Sequence, residues 1–236
     1  MIKSASEQAS SGQARSTSTL SLPPSNAVIM LGEIIGLKFD YKEPALLKLE
    51  HKSPEFKKIN PMGTIPVLQD GDFIVSESHA IMKYLLGKYG DESHERLYPR
   101  DVRQRAIVDQ CLFYFLYGCM LKSLYFSIIF FLINNVLLPM ALTQLDDIDE
   151  AYSVLEAYLQ NNKYIATNHL TIADLSLGTT TTAMQVVHKM DEKRYPRCIE
   201  WLALLKSEEF FQKINTPGVA KFTKLLHMFW EKYKKN

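Results

Sequence analysis

The sequence predicts a small α/β domain followed by an all-helical domain. Its first half alternates helical and strand-like apolar patterns, with a β-hairpin signal, Asp70-Gly71-Asp72, between two short apolar runs. After Gly90 the chain turns polar, and beyond residue 103 only the periodicity of helices persists. We therefore assign residues 1–15 to a flexible tail, 16–90 to the α/β domain, 91–103 to a linker and 104–236 to the helical domain.

The α/β domain is expected to follow the order β-α-β-α-β-β-α. A Ser- and Thr-rich stretch supplies the first strand, Gly36 ends the first helix, and Ser53-Pro54 opens the second. The expected elements are strand 16–21, helix 26–36, strand 37–41, a short helix from residue 53, strands 65–68 and 73–75, and helix 76–89.

The helical domain contains a long uncharged stretch that we tested as a membrane span. Residues 123–145 carry no charge and are long enough to cross a bilayer. Asn134, Asn135 and Pro139 interrupt the stretch, and no basic cluster flanks it, so we predict a buried helix pair and no membrane span. The predicted helices are 105–132, 136–160, 171–189, 195–206, 209–214 and 218–232.

Charge and cysteine content exclude several classes of function. The 27 Lys and Arg residues nearly balance 26 Asp and Glu residues, so no basic field exists to hold a nucleic acid. Cys111, Cys119 and Cys198 have neither C-x-x-C nor metal-finger spacing. The N-terminal segment lacks the apolar core of a secretory signal. We expect a cytoplasmic protein with reduced thiols and no bound metal.

The densest cluster of unusual residues covers positions 60–68 and 76–81. Pro66 stands at the start of an apolar strand, where its missing N–H suits a loop-to-strand junction with a cis peptide bond. At such a junction the backbone of Ile65 could bond an extended ligand as if it were a strand. The alternative is an ordinary edge-strand proline, and the residues alone leave both open.

Glu77 and Ser78 lie where a strand passes into a helix. A helix N-terminus attracts a carboxylate and a neighbouring acidic side chain attracts an ammonium group, so this pair suits an α-amino acid. The alternative is an ordinary cap, with Ser78 bonded to first-turn amides and Glu77 solvated, and spacing alone favours it. Farther along, Thr171 and Asp174 form a capping-box pattern with a structural role.

Five stretches, taken in order and spacing, resemble the cytosolic glutathione transferases of the insect delta/epsilon type, epsilon more closely. They are EHKSPEF (50–56), NPMGTIPVL (60–68), SESHAI (76–81), ERLYPRD (95–101) and LTIADL (170–175). The resemblance spans residues 16–232. It implies a thioredoxin-like N-terminal domain, an all-helical C-terminal domain, glutathione as cosubstrate and a homodimer. It also favours the ligand clamp over the ordinary cap at Glu77 and Ser78.

The resemblance also implies which residues bind the two substrates. Ile65, before a cis Pro66, would bond the cysteinyl backbone of glutathione. Glu77 and Ser78 would hold its γ-glutamyl end, with His79 nearby. The full glutathione set is His51, Lys52, Thr64, Ile65, Pro66, Glu77, Ser78 and His79, of which His51 and Lys52 would meet the glycyl carboxylate. The apolar electrophile site would contain Phe113, Tyr117, Met120, Phe222, Leu226, Phe229 and Trp230.

The sequence departs from the family pattern at the slots for two functional side chains. Leu22 occupies the slot of the catalytic serine and Asn26 that of an arginine. The candidate catalytic hydroxyls are therefore Ser21 and Ser25, and the third option is activation by helix amides alone. Gly63 stands where many relatives have histidine, which would weaken the hold on the glycyl end.

The predicted function is conjugation of glutathione to hydrophobic electrophiles in detoxification, with a possible peroxidase side activity. The alternatives are a non-catalytic homologue that binds glutathione or hydrophobic ligands, and a protein-interaction module without a pocket.

Overall fold

A four-stranded mixed sheet lies at the centre of the N-terminal half. The strands β1 (Ile2–Ser4), β2 (Phe39–Tyr41), β3 (Val67–Asp70) and β4 (Phe73–Ser76) stand in the order β2-β1-β3-β4. β1 runs antiparallel to β2 and parallel to β3, while β3 and β4 form the predicted hairpin. The computed structural model describes residues 2–4, 22–114 and 142–234.

The first strand departs from the sequence prediction. We expected residues 1–15 to be a flexible tail and residues 16–21 to form the strand. Instead, Ile2–Ser4 fill an inner position of the sheet, and residues 16–21 lie outside the described part of the chain. A three-residue strand of Ile, Lys and Ser is too short to show the two-residue alternation from which strands are predicted.

The described part of this half also contains three α-helices, α1 (Pro23–Ile34), α2 (Pro54–Ile59) and α3 (Ser78–Tyr89), and two 3₁₀ turns, Leu46–Lys48 and Glu50–Lys52. As predicted, Gly36 follows the end of α1, with a φ of 70° that glycine adopts without strain. The observed order is β-α-β-α-β-β-α, as the sequence predicted.

Asp70 ties the hairpin to α3. Its Oδ2 accepts hydrogen bonds from Tyr84 Oη (2.8 Å), Lys88 Nζ (2.8 Å) and Tyr89 Oη (2.7 Å). The side chain of Asp70 is only 5% exposed, so these bonds compensate for removing its charge from water. They fix the end of β3 against the last turns of α3.

The second half is helical throughout its described part. A 3₁₀ turn (Glu92–Leu97) leads to α4 (Val102–Tyr114), α5 (Leu142–Leu159), α6 (Ile172–Val187), α7 (Pro196–Ser207), a π-helical turn (Phe211–Asn215) and α8 (Thr216–Lys234). The predicted helix 209–214 is therefore a π turn. No helix within these residues is both long and apolar enough to cross a membrane. Most of the uncharged stretch 123–145 lies outside the described residues.

α6 is the central element of the helical half and also the contact to the sheet half. Its residues from Ile172 to Met184 are all buried. α1 and α4 pack against it, so one helix contributes to both cores. The α/β domain followed by an all-helical domain is thus confirmed.

Candidate functional site

The loop before β3 is ordered by a single side chain, that of Asn60. Its Nδ2 donates to the carbonyl oxygen of Thr64 (2.9 Å) and to Thr64 Oγ1 (3.1 Å), while its Oδ1 accepts from the Met62 N–H (3.2 Å). The loop ends at Ile65-Pro66, whose peptide bond is cis, as the junction hypothesis predicted. Sequence reasoning missed Asn60, although Asn before Pro is a known turn signal.

Strand register brings this junction to the start of α3. Val67 lies opposite Ser76, so the residues just before β3 meet those just after β4. Glu77 has a φ of 71° and a ψ of 114°, a strained conformation for a residue with a side chain, and its side chain forms no cap bond. Ser78 is buried and already part of the helix. The ordinary-cap interpretation therefore lacks its expected hydrogen bonds.

His51 and Lys52 lie behind the same loop. Lys52 Nζ donates to the Met62 carbonyl oxygen at 3.3 Å. Burial, assisted by the charge of Lys52, lowers the pKa of His51, and the buried His51 Nδ1 has no hydrogen-bond partner within the described residues. Gly63 is required here because its φ is 59° and a Cβ would lie 2.7 Å from the His51 carbonyl oxygen.

His79 is directed toward the helical domain. Its Nε2 lies 2.7 Å from Ser176 Oγ on α6. Burial, and to a lesser extent the charge of Lys83, lower the pKa of His79 to about 4, so the ring is neutral at pH 7. This residue therefore joins the two halves, and its proximity to a γ-glutamyl group remains a prediction.

The start of α1 has few free backbone donors. Leu22 is the N-cap residue, and Pro23 and Pro24 carry no N–H. The N–H groups of Ser25 and Asn26 both donate to the Leu22 carbonyl oxygen at 3.0 Å. Activation by helix amides alone would thus depend on the helix dipole. Ser25 lies half-buried in this first turn, and Ser21 lies outside the described residues.

The residues predicted for the electrophile site are only partly described. Phe113 on α4 is 58% exposed and Phe222 on α8 is 6% exposed, while Leu226 is half-buried. Phe229 and Trp230 belong to the last turns of α8. Tyr117 and Met120 lie outside the described residues, so this site remains a prediction.

A cavity lies apart from these residues. It has a volume of about 520 Å³ and contains none of the predicted site residues. Its walls come from the end of α5, the following loop and α7, including Asn162, Asn168 and Arg197. Nowhere in the described ranges do three or more His, Cys, Asp or Glu side chains form a group that could hold a metal ion.

Asp174 has the structural role that its capping pattern predicted. Oδ2 accepts from the N–H (2.8 Å) and hydroxyl (2.9 Å) of Thr171. Oδ1 accepts from the Ile165 N–H (2.8 Å) and from Trp201 Nε1 (2.9 Å). Burial raises the pKa of Asp174, and the four donors oppose that shift. The bonds from Ile165 and Trp201 were not predictable from local spacing.

Two family models cover most of the chain. That of the glutathione S-transferase N-terminal domain matches residues 20–87, and that of the C-terminal domain matches residues 98–204. The chain belongs to the glutathione S-transferase family. The resemblance inferred from the sequence is therefore confirmed.

Individual glutathione transferases agree with this assignment. Glutathione S-transferase 1 of Manduca sexta is 34% identical over 83% of this chain and 89% of its own length. An epsilon-class enzyme from the housefly, Musca domestica, superposes with a TM-score of 0.83 at 34% identity, covering 88% of this chain and 94% of its own. A glutathione transferase homologue from Drosophila mojavensis, solved with bound glutathione, has a TM-score of 0.78 at 34% identity, over 86% of this chain and 90% of its own.

Proposed function

We propose that the chain conjugates the sulfur of glutathione to apolar electrophiles. The observation that carries this proposal is the meeting of the cis Ile65-Pro66 junction with the strained helix start at Glu77 and Ser78. Family membership and a relative with bound glutathione support the choice of cosubstrate. The thiolate would attack the electrophilic carbon, form a thioether and expel the leaving group with its electron pair.

Each end of glutathione would meet a different part of the site. The Ile65 backbone would bond the cysteinyl unit, the Glu77 carboxylate would attract the γ-glutamyl ammonium, and the helix start at Ser78 would attract its carboxylate. His51, kept neutral by its lowered pKa, would donate a hydrogen bond to the glycyl carboxylate. Lys52 would add the positive charge that His51 lacks.

The thiol must lose its proton for the reaction to proceed. A free cysteine thiol is only a few per cent thiolate at pH 7, so the site has to favour the anion. A hydroxyl that donates to sulfur does this, because it bonds the charged form more strongly. Since Ser25 and Asn26 direct their N–H groups at Leu22, a side chain is the better source of this bond. We favour Ser21, with Ser25 second.

A non-catalytic homologue that binds glutathione or hydrophobic ligands is the second candidate. Leu22 favours it, because this residue places no hydroxyl at the head of α1. A thiol bound there without a donor would keep its ordinary pKa and react slowly. The two candidates therefore differ in the thiol pKa and agree in binding.

The finer parts of the proposal concern the setting of the reaction. We propose detoxification as its role, with peroxidase activity from the same thiolate. A homodimer is supported by Phe73 and Ile74, both 43% exposed on edge strand β4. A cytoplasmic location is supported by Cys111 and Cys198, which are buried, unpaired thiols.

The decisive experiment titrates the ultraviolet absorbance of bound thiolate against pH in the wild type, Ser21→Ala, Ser25→Ala and the double mutant. We expect a depressed thiol pKa in the wild type that rises in Ser21→Ala, with turnover falling by about 10²-fold and glutathione affinity nearly unchanged. A low pKa in all three variants would exclude serine activation. A wild-type pKa equal to that of free glutathione would favour the non-catalytic homologue, and failure to bind glutathione in calorimetry would eliminate both candidates.

A further inference from the structure

A row of buried amides and a hydroxyl runs from α1 into the helical domain. Asn26 Nδ2 donates to Asn215 Oδ1 at 3.3 Å, and Asn215 Nδ2 donates to Thr182 Oγ1 at 2.9 Å. The Thr182 hydroxyl donates to the carbonyl oxygens of Gly178 and Thr179 on α6, each at 2.9 Å. Asn26 and Asn215 are each 1% exposed and Thr182 is 7% exposed. We call these three residues the Asn-Asn-Thr row.

The row connects the starts of two helices. Asn26 lies in the first turn of α1, beside the residue in the catalytic slot, Leu22. Asn215 is the last residue of the π turn, and α8 begins at the next residue, Thr216. π turns are rare and concentrate at functional sites. Thr182 fixes both starts to the backbone of α6, whose residues from Ile172 to Met184 are all buried.

The row buries polar side chains where α1, the π turn and α6 meet. Asn26 Oδ1 is buried and has no hydrogen-bond partner within the described residues. A buried unsatisfied oxygen is unfavourable, and apolar side chains of similar shape would avoid it. Directional polar contacts instead select one arrangement of the packed elements. The directional bonds of the row therefore favour a positioning role.

We propose that Asn215 is a positioning residue that sets α8 relative to the start of α1. This inference rests on the proposed function, in which α1 presents the thiolate and α8 borders the electrophile site. Asn215 is buried and bonds Asn26 and Thr182, so it would act through α8 and not by touching a substrate. It acts by holding the first turn of α8 to Asn26. This contact keeps the electrophile at the distance and angle from the sulfur that the reaction needs.

Matched variants test the row. Thr182→Val removes the acceptor of Asn215 with little change in shape, Thr182→Ser restores it, and Asn215→Leu removes the central amide. Thr181→Val is the control, because Thr181 is equally buried on α6 and its hydroxyl has no partner in the described structure. We expect Thr182→Val and Asn215→Leu to lower kcat by about 10-fold or more, since small misplacements of reacting groups are costly. Glutathione affinity should stay within about twofold, and Thr182→Ser and Thr181→Val should match the wild type.

A binding measurement makes the test independent of turnover. S-hexylglutathione carries an apolar chain on the glutathione sulfur. In the proposed site this chain would extend toward α8, so its affinity relative to that of glutathione would report the alignment of the two sites. We expect this ratio to fall by about 10-fold in Thr182→Val and not in Thr181→Val. An unchanged ratio and kcat, with only a lower melting temperature, would overturn the positioning role while leaving the proposed function standing. A wild type that binds no glutathione would overturn both.

Discussion

Two helices, α3 and α6, begin beside an acidic residue, and the two carboxylates have opposite surroundings. Glu77 is exposed, strained at a φ of 71° and forms no cap bond at the start of α3. Asp174 is fully buried at the start of α6 and accepts bonds from four donors. An acidic residue whose hydrogen bonds the fold itself supplies is structural. One that the fold strains and leaves exposed is a candidate for binding a ligand.

The two helix starts also touch each other. His79, in the first turn of α3, lies 2.7 Å from the hydroxyl of Ser176, the fifth residue of α6. One hydrogen bond therefore links the helix that begins at the candidate ligand site to the helix that begins at the structural site. Variants at each site can show whether the two sites act independently.

The largest loss of stability is expected at Asp174, at the start of α6. Asp174→Ala should destabilise the protein by about 3–5 kcal/mol, because it leaves the neutral donors of Thr171, Ile165 and Trp201 buried and unpaired, at about 1–3 kcal/mol for each donor that water cannot reach. Urea unfolding measures this change. Any protein that folds should bind glutathione within about twofold of the wild type. Unfolding that occurs at the same urea midpoint would contradict the structural role.

The contact between the two starts predicts a pH dependence. The pKa of His79 falls from 6.5 to about 4 on folding, so the neutral ring contributes fully above pH 6.5 and progressively less down to pH 4. The loss amounts to about 3 kcal/mol. His79→Gln keeps a hydrogen-bonding group without titrating there. The difference in unfolding free energy between wild type and His79→Gln should be constant above pH 6.5. Below pH 6.5 the wild type should lose more stability than the variant. An equal loss of stability in both proteins down to pH 4 would contradict a buried neutral His79.

Substitutions at the start of α3 should have the smallest effects on stability and the clearest effects on glutathione binding. Glu77→Gln and Ser78→Ala should each weaken glutathione binding by about 1–3 kcal/mol, the value of a hydrogen bond to a charged group. Calorimetry measures this loss. Glu77→Gly is the matched control, since glycine relieves the positive φ and should stabilise the fold by about 1 kcal/mol while still losing affinity. If all three variants bound glutathione as tightly as the wild type, Glu77 and Ser78 would have a purely structural role.

The two helix starts also show which parts of the fold and of the candidate site could be predicted from the sequence. The start of α6 was predictable because Thr171 and Asp174 are three residues apart, and capping is a local interaction. The hairpin was predictable from its turn residues, whereas the residues alone left two interpretations of Pro66 open and the family resemblance favoured the cis Ile65-Pro66 junction. Contacts between distant segments, such as His79 with Ser176 or Asn26 with Asn215, leave no periodic pattern.

The first strand was mispredicted for a related reason. Ile2–Ser4 belong to the sheet through backbone pairing with β2 and β3, which any sequence can supply. The prediction placed the strand in the Ser- and Thr-rich stretch 16–21, and composition of that kind carries no information about backbone pairing. Family motifs indicate which residues would form a ligand clamp, but they do not say which hydroxyl would act in place of Leu22.

The inner position of β1 has a consequence for the order of folding. Ile2 pairs with Tyr41 and with Leu68, so the strand must wait until its partners, dozens of residues later, have been synthesised. The β3–β4 hairpin closes across a short turn and pays far less loop entropy. We expect β1 to join after the folding transition state, so that substitutions in residues 2–4 would accelerate unfolding and leave the refolding rate nearly unchanged.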